Sequence, residues 1–282
     1  MVRLPALAAV FLACALPASG AFEIEVNYTG PAQFQSFFDD AADVWESLLV
    51  DYQDGTIVAA STGSSYFTGA LGPNINTVFI DATLAPDDGV GGRLGFAGPT
   101  EVVLDSSSFI LASDGIMSFD DADAQNLVNQ GRFDDVVRHE MGHVLGFGTL
   151  WTNNNVYVNG SGEYTGANAT AVWNTEFSQG GTPDVEQSGG PGTADGHWDE
   201  VDITGTTSPL DPTGITDAFG RDLRDELMTG FLTGQTFISQ MTVASFIDIG
   251  FVGSTLAAVP EVSSVLAMGL VSAGFVGRGR RR

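Results

Sequence analysis

His139, Glu140 and His143 are the residues of this chain best placed to do chemistry, and their spacing says which chemistry. Histidines four apart are one helical turn apart, so both imidazoles project from the same face. Two such nitrogens hold two corners of a tetrahedral metal, and zinc suits imidazole ligands well. Glu140 sits one step round and can reach a metal-held water as a general base, the H-E-x-x-H arrangement. The bland alternative is a pair of surface histidines on an amphipathic helix. Against it, Val136, Val137, Met141, Val144 and Leu145 surround the motif with apolar side chains suited to burial. Gly146 and Gly148 then break the helix and let the chain turn sharply beneath a metal.

A third ligand has to come from elsewhere. One extension of the motif places a histidine three residues after the glycine, but here Thr149 stands at that position. The chain has three histidines, so His197 is the only one left. Its setting is Gly189-Gly190-Pro191-Gly192-Thr193-Ala194-Asp195-Gly196-His197-Trp198-Asp199-Glu200, and Asp225-Glu226-Leu227-Met228-Thr229-Gly230 follows. Three neutral imidazoles leave one coordination position open. There a metal lowers the pKa of water to about 7 and polarises a carbonyl. Glu140 would take the proton and pass it to a leaving amine. No serine or cysteine nucleophile has a histidine partner to spare. Zinc is preferred to manganese or cobalt by an open three-imidazole site.

Taken together, these segments resemble the leishmanolysin-like zinc metallopeptidases, of metzincin type, and especially their secreted bacterial members. The residues that carry the resemblance are His139 to Gly146, Gly196 to Trp198 and Glu226 to Gly230, with further similarity at 115–123 and 165–169. It spans residues 22–252. It implies an α+β zincin fold. The N-terminal lobe would hold a twisted mixed sheet and the active-site helix, and a smaller irregular C-terminal lobe would carry a Met-turn. It also implies His139, His143 and His197 as zinc ligands, Glu140 as the catalytic base, Gly146 and Met228 as structural residues at the site, and a protein or peptide substrate. The loop at 201–220 is longer than its counterpart in that family.

Several elements must position these groups. Residues 22–28 alternate apolar and polar, as a strand does. Residues 32–50 place Phe34, Phe37, Phe38, Ala41, Val44, Trp45, Leu48 and Leu49 at helical spacing. Short β-branched runs at 56–60 and 77–80, and segments 101–104 and 115–120, read as strands. One of the last two is the candidate edge strand for pairing with an extended peptide. Residues 120–130 read as a helix capped by Asp120 or Asp121 and ended by Gly131, and the motif helix starts at Phe133. The acidic stretch 81–89 reads as a solvated loop with calcium as a secondary possibility, since it lacks the spacing of an EF-hand. In the 149–196 insertion only 166–177 looks helical. Trp151, Tyr157 and Tyr164 there read as packing. Residues 201–220 read as an exposed loop and 236–250 as a final helix.

The 282 residues suffice for one large domain or two small lobes. Lysine is absent. Thirty-five acids face five arginines (Arg93, Arg132, Arg138, Arg221, Arg224) between the arginines of the two ends, a balance near −30. Such a surface repels nucleic acid and anionic membranes. Residues 1–20 read as a secretory signal: Arg3, an apolar run, then small residues. The single cysteine, Cys14, lies in that run, so the mature chain would have neither a disulfide nor a cysteine to cap its own zinc. Residues 21–256 form the expected peptidase domain. Residues 257–282 join Pro260-Glu261-Val262 to an apolar run and a basic end, Arg278-Gly279-Arg280-Arg281-Arg282. This tail resembles a PEP-CTERM sorting signal, with Val262 where proline is usual. That implies an exosortase-type processing partner, a short membrane segment, and an exported or cell-surface location in a Gram-negative bacterium. The expected activity is therefore an exported zinc endopeptidase. Two alternatives are a non-catalytic matrix or adhesion protein on a peptidase scaffold and a zinc hydrolase acting on a non-peptide amide.

Overall fold

The apolar–polar alternation at the start of the chain becomes strand β1 (Glu23–Thr29), with Ile24 buried and Glu23 and Glu25 exposed. The computed structural model describes residues 21–62, 65–67, 74–200 and 211–254. The expected signal (1–20) and sorting tail (257–282) lie outside them. No helix among the described residues is long and apolar enough to cross a membrane.

Pro31 starts a short 3-10 turn, Ala32–Phe34, which runs into helix α1 (Gln35–Leu48). The expected helix at 32–50 is thus trimmed at both ends. Leu49 has left helical geometry (φ −115°, ψ 97°) and opens strand β2 (Leu49–Tyr52). The cause is tertiary. Strand β2 pairs antiparallel with β8 (Phe251–Gly253), from the far end of the described chain. The final helix is also shorter than the expected 236–250: α5 (Gln240–Asp248) starts where the Ser239 side chain accepts from Thr242 N.

The main sheet contains β1, β3 (Ile57–Thr62), β4 (Ser65–Phe67), β5 (Thr77–Ala85), β6 (Gly95–Asp105) and β7 (Ile110–Asp120). Its order is β1-β5-β7-β6-β3-β4. β1, β5 and β7 run parallel, and β6 and β3 run antiparallel to their neighbours. The sheet is mixed and the class is α+β. The strand expected at 77–80 extends through Ala85, because β1 and β7 pair with it on both sides. This corrects the solvated, calcium-touching loop expected from residue 81. Asp81 accepts from Asn27 Nδ2 at 2.8 Å, Asp87 pairs with Arg93 at 2.7 Å, and Asp88 accepts from Arg93 N at 3.1 Å. Those carboxylates close local structure and do not surround a cation.

The strand expected at 115–120 is β7, which lies inside the sheet and cannot be its edge. Strand β6 differs along its length. Glu101 to Leu104 pair with β3 as well as β7, whereas Gly95 to Pro99 pair with β7 and, among the described residues, with nothing on the other side. The free edge is therefore the half of β6 that precedes the expected 101–104.

Asp120 caps α2 (Asp121–Gln130), its side chain accepting from Ala122 N, and Gly131 (φ 66°) ends it. Helix α3 (Phe133–Leu145) follows and packs against α1, β6 and β7. Phe34, Phe37, Phe38, Phe119 and Phe133 interlock where these elements meet. Burying each such ring contributes roughly 1.5–3 kcal/mol. The second half of the chain has little regular structure. It contains α4 (Ala167–Glu176), a 3-10 turn (Leu223–Asp225), α5 and β8. The segment 211–220 is irregular but not simply exposed, since Thr213, Ile215 and Asp217 are buried. Residues 201–210 of the expected loop lie outside the described ones.

Candidate metal centre

Helix α3 supplies the first two histidines one turn apart and ends at Gly146, whose φ of 118° only glycine adopts readily. That break turns Phe147 O back onto His143 Nδ1, at 2.9 Å. His139 Nδ1 lies 2.7 Å from Leu227 O, and His197 Nδ1 lies 2.8 Å from Thr193 O. A carbonyl oxygen only accepts, so each Nδ1 must carry the proton, and each Nε2 of a neutral ring then presents a lone pair.

Those three lone pairs converge. Nε2 of His139 lies 3.0 Å from that of His143 and 3.1 Å from that of His197, and the latter two are 3.0 Å apart. Three acceptors this close repel one another unless a cation sits among them. The triangle is slightly tighter than nitrogens about 2.0–2.1 Å from a tetrahedral zinc would make, and it is close to that geometry. Backbone carbonyls holding the far nitrogens are the usual way a protein orients imidazole ligands. Burial lowers all three imidazole pKa values, that of His197 to about 3, which keeps the rings neutral. The residues present fit a metal ion: His139, His143 and His197 can hold one.

Glu140 lies in the cleft with the histidines and is buried. Burial pushes its carboxyl up to about 8, and the Arg93 guanidinium counters part of that rise. The cleft is about 560 Å³ and is lined by Arg93, Phe96, Thr149, Phe231 and Thr236 as well as the site itself. The free half of β6 forms one wall. A hollow of about 540 Å³ on the sheet is lined by Glu25, Asp81, Glu101 and Asp114 and contains no histidine.

His197 arrives on an irregular segment, and three contacts place it. Gly148, at φ 70°, lies so close to Gly196 that a Cβ there would fall 2.3 Å from Gly196 O. Trp198 is buried among Phe147, Trp151 and Tyr164, with ring centroids about 5 Å apart, and donates to Thr242 Oγ1 at 2.9 Å. Trp151 and Tyr164 are thus packing residues that anchor the third ligand from behind. Trp198 N also donates to Met228 O at 3.0 Å.

Met228 is fully buried under α3. A Cβ on Gly142, between the two motif histidines, would meet Met228 Sδ and Cε at 3.0 Å and Trp45 Cζ2 at 3.1 Å. The structure thus brings His139, His143 and His197 together, with Glu140 in the same cleft, Gly146 ending the helix and Met228 packed against Gly142.

It does not reveal what holds that cluster. The buried Glu226 carboxylate accepts from Met228 N at 2.5 Å, Ser239 N at 2.9 Å, Ser239 Oγ at 2.9 Å and Thr242 Oγ1 at 2.6 Å. It ties the Met228 turn to the start of α5. Its position two residues before Met228 was the available signal. Beside the histidines lies a group no local pattern announces. Glu186, Asp199 and Glu200 each bring a carboxylate oxygen within 4.8 Å of the others. Burial, then the neighbouring Glu186 charge, pushes Glu200 up to about 8. No protein-family model matches this chain, and no curated protein matches it.

Proposed function

We propose that this chain is an exported zinc endopeptidase of the leishmanolysin-like metzincin type. The observation that carries the reading is the convergence of three imidazole lone pairs beside a buried glutamate. In this reading the turn at Met228 is the Met-turn, and the irregular second half is the smaller lobe. A zinc ion, when bound, supplies an acidified water and polarises the scissile carbonyl.

The chain's own residues do the rest. The backbone carbonyls of Leu227, Phe147 and Thr193 hold the three rings neutral and oriented. Glu140 accepts the proton of the attacking water on its carboxylate and returns it to the leaving amine nitrogen. The edge of β6 at Gly95 to Pro99, unpaired on its outer side among the described residues, offers backbone groups beside the cleft, where an extended peptide adds an antiparallel strand. Main-chain pairing of that kind favours a peptide over an isolated amide. The expected signal and sorting tail supply export and surface retention.

The test is zinc content and cleavage of a fluorogenic peptide library by residues 21–256, alongside Glu140→Ala. One zinc per chain in both proteins, with cleavage lost only in Glu140→Ala, supports the reading. Zinc without cleavage across the library replaces it with a non-catalytic scaffold. Absence of zinc removes it.

A further inference from the structure

The cluster at Glu186, Asp199 and Glu200 has no part in the mechanism above. It joins three stretches of chain that hold the third histidine. Glu186 N donates to His197 O at 3.0 Å, and Asp199 N donates to Asp184 O at 3.0 Å, so the 184–186 and 197–199 stretches run side by side. Glu200 Oε2 accepts from Gly230 N at 3.3 Å, which brings in the turn after Met228. Glu186 Oε1 accepts from Ser188 N.

Both remaining glutamate oxygens are stranded. Glu186 is 1% exposed and Glu200 is 0% exposed, yet Glu186 Oε2 and Glu200 Oε1 are buried without a hydrogen-bond partner. A buried acceptor left unpaired destabilises the fold, and more so when it is charged. Ionised together in one buried cluster, two such acceptors would make each other worse unless a cation sat between them. Among the described residues no ion pair involves Glu186 or Glu200. An acidic coat on the surface needs no explanation, whereas two buried unpartnered carboxylate oxygens point to a missing positive charge.

We propose that Glu186, Asp199 and Glu200 bind one calcium ion, which fastens the segment carrying His197. The donors are all carboxylate oxygen, which suits a hard cation and not zinc. Oxygens within 4.8 Å of one another can share one calcium at about 2.3–2.6 Å each. Magnesium keeps several waters and usually takes one or two carboxylates, so a buried three-carboxylate pocket fits calcium better. The site rests on its own three carboxylates. Only its consequence for His197 rests on the metal reading of the histidines.

The test uses the full chain, loaded with zinc and passed into calcium-free buffer. Calorimetric titration with calcium chloride is expected to show one ion per chain, with an affinity no weaker than millimolar. Glu186→Gln, Glu200→Gln and Asp199→Asn should each weaken it at least roughly tenfold, and magnesium should not reproduce it. The amides remove repulsion, so calcium-free Glu186→Gln and Glu200→Gln should melt no lower than calcium-free wild type, while gaining no stability from calcium. His197→Ala should still bind calcium, which separates this site from the histidine reading. Release of zinc to a colorimetric chelator should accelerate severalfold when calcium is withdrawn from wild type, and should not respond to calcium in Glu200→Gln. Absence of saturable calcium binding at millimolar concentration overturns the proposal, as does binding that all three amide variants leave unchanged. Calcium binding without any effect on zinc release overturns the fastening role.

Discussion

The two halves of the histidine cluster are built differently. His139, Glu140 and His143 stand on one helix, where their geometry follows from the turn of the backbone and from Gly146 ending it. His197 and Met228 stand on irregular segments, where tertiary contacts hold them: Gly148 against Gly196, Trp198 among aromatic rings, and Glu226 beneath the Met228 turn. The helical half costs little to preorganise. The irregular half must be held by everything around it, so it should fail first.

If the three histidines hold zinc as proposed, its withdrawal is the largest expected perturbation. At roughly a thousandfold excess over the dissociation constant, a bound ion stabilises the fold by about 4 kcal/mol. Its loss should fall unevenly. Hydrogen exchange after chelation is expected to rise in residues 193–200 and 226–230 while the amides of α3 stay protected. Equal loss of protection in α3 would break the comparison.

Gly148→Ala comes next. The new Cβ would meet Gly196 O at 2.3 Å, at a φ of 70° that alanine rarely adopts. A cost of about 3 kcal/mol is expected from strain and displacement together. It should appear as a lower denaturation midpoint and faster zinc release, with helical circular dichroism little changed.

The same division explains what could be read in the sequence. Helix α2 carries its own start and stop signals, Asp120 and Gly131, α3 carries its stop, Gly146, and the two motif histidines inherit their geometry from four-residue spacing. His197 was found by elimination and Met228 by resemblance, because nothing local places either. Apolar spacing carries the expected helix on to residue 50, but Leu49 leaves it to pair with a strand from the other end of the described chain. Residues 81–85 read as a loop in the sequence because Asp81 and Thr83 are polar, and only pairing with β1 and β7 makes them a strand. The partnership of Glu186 with Glu200 was invisible for the same reason.

Glu226→Gln tests the irregular half more gently. The amide keeps the size but turns an N–H donor toward Met228 N or Ser239 N, which need an acceptor, so about 2 kcal/mol should be lost. The loss should depend on pH. Burial raises the Glu226 carboxyl above its ordinary 4.5. Between that value and the folded one, the folded chain keeps a proton that the unfolded chain has released. Stability from this group is therefore greatest at low pH and falls as pH rises through that window. Urea midpoints of wild type and variant should draw together as pH rises. Parallel midpoints would show that Glu226 is ionised throughout.

Met228→Leu should have the smallest effect, and it asks whether the sulfur matters or only the volume. Met228 Sδ and Cε sit where a Cβ on Gly142 would be 3.0 Å away, so the space under α3 is closely filled. Leucine is similar in volume but branched, and swaps of this kind usually cost less than about 1.5 kcal/mol. Its branch meets the helix at Gly142, which has no side chain to move aside. The strain should therefore pass into the 226–230 turn and leave α3 in place. Leu227 O, which orients His139, belongs to that turn. A small drop in melting temperature with a measurable rise in zinc release is expected. A drop in melting temperature with unchanged zinc release would show that Met228 only fills space.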